Sequence, residues 1–361
     1  MPKFTEIFED VTKQGTKIPT NLYLENGLYP IIDQGQSEIA GYTDQTEGLF
    51  TNIPAIIFGD HTRIIKYVDT PCFLGADGVK LLKAKDDNAN YKYLYYALCN
   101  ADIPNTGYNR HFKWLKEIEI PEHSIEEQNS IVAQLEKIDT LIYLRKQQLS
   151  KLDELVKSRF IEMFGDPMTN NNGYTLKKYG DLFELNAGGT PSKQKSEYWD
   201  NGTISWIGSN MCQNTVIYEN DGNYITEEGL KHSSARIFPI DTVLIALVGA
   251  TIGKTALLKF ETTTNQNVLG VRGIRESGYT PEFIFYYTQG LYPKFLNIGD
   301  GGFAMASKGF ISELPVPVVD LPLQEQFAAF VEQTDKSKFE IQKSHEKLET
   351  LKKALMQKYF G

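Results

Sequence analysis

With 361 residues and 41% of them hydrophobic, the chain has material for two folded cores and too much apolar content for disorder. Its net charge of −9 excludes a basic nucleic-acid-binding domain: the most basic segment, residues 321–361, holds only seven Lys+Arg against six Asp+Glu. Any DNA contact must therefore come from a local arrangement or be shared with a more basic partner. No apolar run approaches a bilayer span, so no membrane partner is expected, and Met1-Pro-Lys-Phe-Thr-Glu is no signal peptide. Three scattered cysteines (Cys72, Cys99, Cys212) exclude a disulfide framework or a zinc ribbon and suit a reducing cytoplasm, the expected location.

Residues 1–120 alternate short apolar runs with Gly/Asp turns, as in an α/β domain. The strand-like runs are Tyr29–Ile32, Ala55–Phe58 and Val79–Leu82. Tyr91–Leu98 reads as a short amphipathic helix and Leu115–Pro121 as a strand. Ser124 with Glu127 then forms a capping box, and Gly165 before Pro167 is a stop signal, so the spacing predicts one long helix over 121–165. Ile131, Leu135, Ile138, Ile142, Leu149, Leu152, Val156 and Met163 make a coiled-coil seam, interrupted by Arg145 and Arg159. Some 40 helical residues at ~1.5 Å each give a rod of about 60 Å, which needs a partner helix.

After the polar stretch TNNNGY, residues 166–320 repeat the plan of the first domain, and 321–361 repeat the helix. Ile341, Leu348 and Leu355 continue the second seam. From Glu136 onward the offset is a constant 196 residues, as in Glu136/Glu332 and Asp139/Asp335. Val243–Ala246 corresponds to Ala55–Phe58, Asn267–Val271 to Asp77–Leu81, and Glu282–Tyr287 to Lys92–Ala97. The second domain is longer, with extra sequence at its front that finds no counterpart before residue 20. The expected fold class is α+β: two α/β domains separated by a pair of long antiparallel coiled-coil helices, with pseudo-two-fold symmetry from tandem duplication. Leu141, Leu144, Phe327 and Phe330 remain unpaired and are expected to offer surface to another protein.

Catalytic chemistry is not evident. Gly249-Ala-Thr-Ile-Gly253-Lys254-Thr255 resembles a phosphate loop but lacks the first glycine, since position 248 is valine. The five histidines have no metal-ligand spacing, and no methyl-donor turn or nuclease cluster is found, so neither a catalytic residue nor a metal or cofactor site is expected. What recurs in both domains is polar loops. In the first these hold His61, Thr62 and Arg63, then Tyr108, Asn109, Arg110, His111 and Lys113. In the second they hold Thr190, Ser192, Lys193 and Lys195; Ser209 and Asn210; Ser234 and Arg236; Thr251 and Lys254; Ser307 and Lys308. Arg and Lys can read guanine edges, Asn and Gln adenine edges, and hydroxyls can hold phosphates. Any one of these residues could equally be an ordinary solvated loop residue. Two further readings stay open: an internally duplicated enzyme, and a coiled-coil adaptor that reads no sequence.

Several stretches carry a resemblance across the whole chain. SIEEQ with KLDELVKSRFIEMFGD, and LPLQEQFAAFVEQTDKSK running to YFG, are similar to the central and C-terminal conserved regions of the specificity subunits of type I restriction-modification systems. KIPTNLYLENGLYPIIDQG, IIFGDHTR and GADGVKLL resemble one target-recognition domain of that family; GGTPSKQKSEYWDNGTISWIGS, LVGATIGK and TNQNV resemble another. The resemblance implies a non-catalytic DNA reader whose two domains each recognise half of a split target in double-stranded DNA, with the helices setting the spacer. It also implies partners: two modification (methyltransferase) subunits docked beside the helices, and restriction subunits that translocate and cut. S-adenosylmethionine, ATP and Mg2+ would belong to those partners.

Overall fold

The computed structural model describes residues 1–75, 78–107, 109–298 and 305–361; Asp77 and Tyr108 lie outside the described residues. The chain divides into two compact units, Met1–Gln147 with Gln342–Gly361, and Gln148–Ile341.

In the first unit the strands are β1 (Phe8–Asp10), β2 (Tyr29–Ile32), β3 (Gly41–Thr43), β4 (Ala55–Gly59), β5 (Ile65–Val68), β6 (Phe73–Leu74) and β7 (Val79–Ala84). They form one antiparallel sheet in the order β1-β7-β4-β5, and a second in the order β3-β2-β6, where β2 and β6 run parallel. The continuous apolar run of β4 is buried on both faces, as an uninterrupted run should be. Alternation sends Ile56 and Phe58 to a core shared with the helix Tyr91–Cys99, and Ala55 and Ile57 to a smaller core on the other face.

The second unit holds β8 (Leu176–Lys178), β9 (Glu184–Ala187), β10 (Ile204–Ile207), β11 (Thr215–Ile217), β12 (Tyr224–Ile225), β13 (Ile237–Phe238), β14 (Val243–Ala246), β15 (Thr255–Leu258), β16 (Thr262–Thr264), β17 (Val268–Arg272) and β18 (Pro315–Pro317). Its sheets run β11-β15-β14-β17-β9 and β12-β10-β16-β13, with a β18-β8 pair. The order β9-β17-β14-β15 reproduces β1-β7-β4-β5, and the parallel pair β10/β16 reproduces β2/β6.

This topology corrects the expectation that the front of the second domain has no counterpart. A one-turn helix and edge strand begin both domains: Phe4–Ile7 then β1, and Tyr179–Leu182 then β9. The strands that the second unit adds lie further on, β11 at one edge and β13 at another.

The central helix spans Ile125–Phe164 and the C-terminal helix Leu321–Phe360, each 40 residues. The capping box is formed: Glu127 N donates to Ser124 Oγ at 3.2 Å, and Ser124 N to Glu127 Oε2 at 2.9 Å. In each unit the two helices pair antiparallel. In the first, Lys352 pairs with Asp139 and Tyr359 Oη donates to Gln134. In the second, Lys338 pairs with Asp153 while Phe160 meets Phe327.

Of the seam residues, Ile131, Leu135, Ile138, Ile142 and Val156 are buried; Leu149, Leu152, Ile341, Leu348 and Leu355 are half-buried. Near its end the central helix buries Phe160 and Phe164 rather than Met163, because there it packs on the core of the second unit instead of along a heptad seam. Phe327 is likewise buried in that core and Phe330 packs against it, which corrects their expected exposure; Leu141 and Leu144 are exposed. No helix among the described residues is long and apolar enough to cross a membrane.

Phe160→Ala and Leu135→Ala should each lower unfolding free energy by about 2–5 kcal/mol, since each empties a filled core position. Leu141→Ala, at an exposed position, should change it by less than about 0.5 kcal/mol. Urea titration followed by circular dichroism measures all three.

Candidate nucleic-acid interface

In the first unit three loops converge beyond the β4–β5 turn. The turn closes with Arg63 N donating to Gly59 O at 2.7 Å, which places Arg63 in the left-handed region (φ 64°). Gln34, just after β2, ties the turn down: His61 N donates to Gln34 Oε1 at 3.2 Å and Thr62 Oγ1 to Gln34 O at 2.7 Å. The third loop is fastened by Asp60, whose buried carboxylate accepts from Phe112 N at 2.7 Å. His61 Nδ1 lies 3.2 Å from Asn109 O and joins the turn to that loop. Beneath, Lys66 is 7% exposed against Asp33 and Ser37 O; burial pulls its pKa down and Asp33 opposes the shift.

These contacts sort the candidates of the first unit. Asn109, Arg110 and Lys113 are exposed, Lys113 lying 4.1 Å over the Trp114 ring. Thr62 is exposed but spends its hydroxyl on Gln34, and Arg63 Nη1 donates to Ile103 O at 3.0 Å. His111 is a correction. It is fully buried with Nδ1 3.0 Å from Asp60 O, so its ring props the loop from inside and cannot reach a ligand.

In the second unit several of the candidates join one polar network. Thr190 Oγ1 donates to Gln266, and Gly189, beside it, packs against Ser234 and Ala235. Gly188 packs on Thr264 and Asn265, while Asn265 and Asn210 flank Gly208, which precedes Ser209. Gln213 Nε2 donates to Asn210 O at 3.0 Å, and Lys254 Nζ donates to Gln213 Oε1 at 2.9 Å. Ala306 N donates to Leu247 O, which brings Ser307 and Lys308 beside the β14–β15 turn carrying Thr251 and Lys254. Arg236 Nη1 donates to Asn186 Oδ1 at 2.7 Å.

Of the second unit's candidates, Ser192, Lys193, Lys195, Asn210, Ser234, Arg236 and Lys308 are exposed. Lys195 donates to the Tyr198 hydroxyl at 2.9 Å, a bond that raises its pKa. Ser307 is also corrected in part: its hydroxyl caps the helix Lys308–Ser312 by accepting from Phe310 N. The phosphate-loop lookalike is a hairpin turn, with Gly249 and Gly253 at φ 66° and 74°.

Gln34, Gln213, Asn265 and Gln266 were not among the candidates, yet each bridges two loops. Gln34, Asn265 and Gln266 lie in IIDQG and TNQNV, stretches that carried the family resemblance, which was the available signal. Both clusters present amides, hydroxyls and cations on loops fastened to rigid strands, groups that suit base edges and phosphates. Among the described residues no group of three or more His, Cys, Asp or Glu could hold a metal ion.

The sequence matches the family described as "Type I restriction modification DNA specificity domain" over residues 3–154 and 171–353. It is 30% identical over 273 residues to the Type I restriction enzyme EcoR124I/EcoR124II specificity subunit of Escherichia coli, covering 69% of this chain and 65% of that protein. It is also 30% identical over 193 residues to the MjaIX specificity subunit of Methanocaldococcus jannaschii, covering 52% of this chain and 44% of the relative. The matches thus span from under half to just under two thirds of these relatives. In fold it resembles the S subunit of a type I restriction-modification system from M. genitalium, with TM-score 0.59, 18% identity, and coverage of 100% of this chain and 95% of that one.

Gly253→Ala should cost about 2 kcal/mol or more, because a left-handed backbone is combined with a Cβ placed 2.5 Å from the Phe295 ring. Arg63→Gly removes the same kind of backbone strain but forfeits the bond to Ile103, so its stability should stay within about 1 kcal/mol of the parent. Thermal melts of the two variants check the contrast.

Proposed function

Because the chain belongs to the family of type I restriction-modification DNA specificity domains, we propose that it is the sequence-reading subunit of such a system. Each unit reads one half of a bipartite target in double-stranded DNA, and the helices set the spacer between the halves. This chain performs no catalysis. Two modification subunits dock beside the helices and methylate adenine with S-adenosylmethionine. Restriction subunits bring ATP- and Mg2+-dependent translocation and cleavage, and the assembly works in the cytoplasm.

One observation carries the reading: the duplicated sheets each hold out a fastened cluster of amides, hydroxyls and cations. Two clusters on two copies of one platform are what a split target requires. Its similarity to two specificity subunits of type I restriction enzymes agrees with it. The net charge of −9 is accommodated if the modification subunits supply much of the grip on the phosphates.

Methylation-sensitive sequencing of DNA from cells carrying the complete system tests this directly. Arg110→Ala should relax the motif at one half-site only, and Lys254→Ala at the other, with a loss of about 1–3 kcal/mol of discrimination at the affected base. An equal weakening on all duplexes would make these residues phosphate contacts. A heptad inserted into both long helices adds about 10 Å and should lengthen the spacer by about three base pairs, leaving both half-site sequences intact. An unchanged spacer would refute the role of the helices as a ruler.

A further inference from the structure

Two parallel strands end side by side in each unit, and the residues that follow them differ in chemistry. β10 and β16 pair through Trp206–Thr263 and Ile207–Thr264, and Asn265 N donates to Ile207 O at 3.1 Å. Gly208 and Asn265 therefore leave the sheet as neighbours. β2 and β6 pair through Ile31–Phe73 and Ile32–Leu74, and Gly75 N donates to Ile32 O at 2.7 Å. Asp33 and Gly75 thus hold in the first unit the places of Gly208 and Asn265.

In the second unit these loops carry amides. The 3₁₀ turn Ser209–Met211 follows Gly208, and Asn210 on it is exposed. Its backbone is held: its carbonyl accepts from Gln213 Nε2 at 3.0 Å, and Lys254 Nζ holds Gln213 Oε1 in turn at 2.9 Å. Its side chain is not held, since neither Oδ1 nor Nδ2 of Asn210 has a hydrogen-bond partner among the described residues. The carboxamide folds back over Gly208, where a Cβ would collide with Oδ1, and Asn265 Nδ2 lies 3.5 Å from that same point. Asn265 Oδ1 accepts from Asn267 N at 3.0 Å, and Gln266 Oε1 accepts from Thr190 Oγ1, so each of these two has only its amino group to offer. The cluster presents one complete amide flanked by two further donors.

The first unit has no such group at the same place. The Asp33 carboxylate is taken by Gly35 N at 2.7 Å and by Lys66 Nζ at 3.5 Å. Gln34, which follows it, accepts from His61 N through Oε1. A glycine, Gly75, stands where the second unit has Asn265. The same strand ends brace the loops in one copy and leave hydrogen-bonding groups free in the other.

Adenine shows the major groove an acceptor, N7, beside a donor, the N6 amino group. A carboxamide with both ends free matches that pair, nitrogen to N7 and oxygen to the amino group. Guanine offers two acceptors there and thymine an acceptor beside a methyl group, so either leaves Asn210 Oδ1 unpaired; cytosine offers a donor only and strands Nδ2. We propose that Asn210 reads an adenine in the half-site of the second unit, while Asn265 and Gln266 donate to acceptors on neighbouring bases. The inference rests on the DNA-reading role and adds to it the base and the atoms that are read.

Competition binding by the complete methyltransferase assembly tests it, on duplexes carrying the target found by methylation-sensitive sequencing. Each base pair is exchanged in turn, and each adenine is replaced by 7-deazaadenine, which lacks the N7 acceptor, or by purine, which lacks the amino group. At one adenine both replacements should weaken binding of the parent about tenfold, and binding of Asn210→Ala less than twofold. Every position of the other half-site should keep its parental preference. An unchanged melting temperature, expected for an exposed side chain, confirms that the variant is folded. The proposal is overturned if Asn210→Ala retains every penalty of the parent, weakens all duplexes equally, or relaxes a position that is not adenine. In each of those cases the bipartite motif persists and the DNA-reading role stands. A parent assembly without any base preference would overturn both.

Discussion

The structure depends on aromatic and aliphatic side chains that fuse the ends of the long helices into the domain cores. In the second unit Phe160, Phe164, Phe283 and Phe327 form one ring cluster, with centroids 4.8–5.5 Å apart. In the first, Leu135 and Met356 share a core with Tyr93, whose ring is 5.2 Å from that of Phe360. A two-helix seam interrupted by charged residues buries little apolar surface, and such a helix relies on tertiary packing for its stability. Because helix and sheet share one core, the polar loops are not tethered to the helices but built on the same packed body. Displacing one means repacking the other.

That body also explains why the polar loops have defined shapes. β4 and β14 are buried on both faces, so the strands entering the polar turns are fixed by two cores each. The loops are then fastened to one another by side chains that accept from backbone groups: Asp60 to Phe112, Gln34 to His61, Asn214 to Thr255. Ordering of this kind is completed on folding, so its entropy cost would not fall on a later binding event.

Legibility in the sequence followed the range of the interactions. The helices, their caps and the tandem repeat are governed by spacing along the chain, so Ser124, Glu127 and the 196-residue offset were readable without any structure. The likeness of the two domain fronts resides in a pairing, β1 with β7 and β9 with β17, across more than 70 residues of chain, which local spacing does not carry. Phe327 looked like an exposed extra apolar residue because the heptad pattern knows only the other helix, whereas Phe327 faces a domain core. His111 looked like a ligand-reaching residue within a polar stretch, and only the fold shows Asp60 drawing it inside. The bridging amides, Gln34 and Gln213 above all, have partners fixed by three-dimensional proximity, which no local pattern encodes.

The two copies have diverged unevenly. The strand order is retained, because sheet order and core shape are set by many mutually dependent contacts and tolerate little change. Loop residues carry fewer such dependencies, so Asp60-His61-Thr62-Arg63 and Ala250-Thr251-Ile252-Gly253 can occupy equivalent hairpins with different chemistry. The exchange of Lys92 for Glu282 belongs to the same class, being a partly exposed helix position whose charge the core does not constrain. In one copy it closes an ion pair with the long helix. In the other it needs a lysine, Lys259, from the neighbouring sheet, and burial that would lower the Lys259 pKa is outweighed by Glu282 and Asp241. The two copies therefore balance charge at this position in different ways while their scaffolds remain the same.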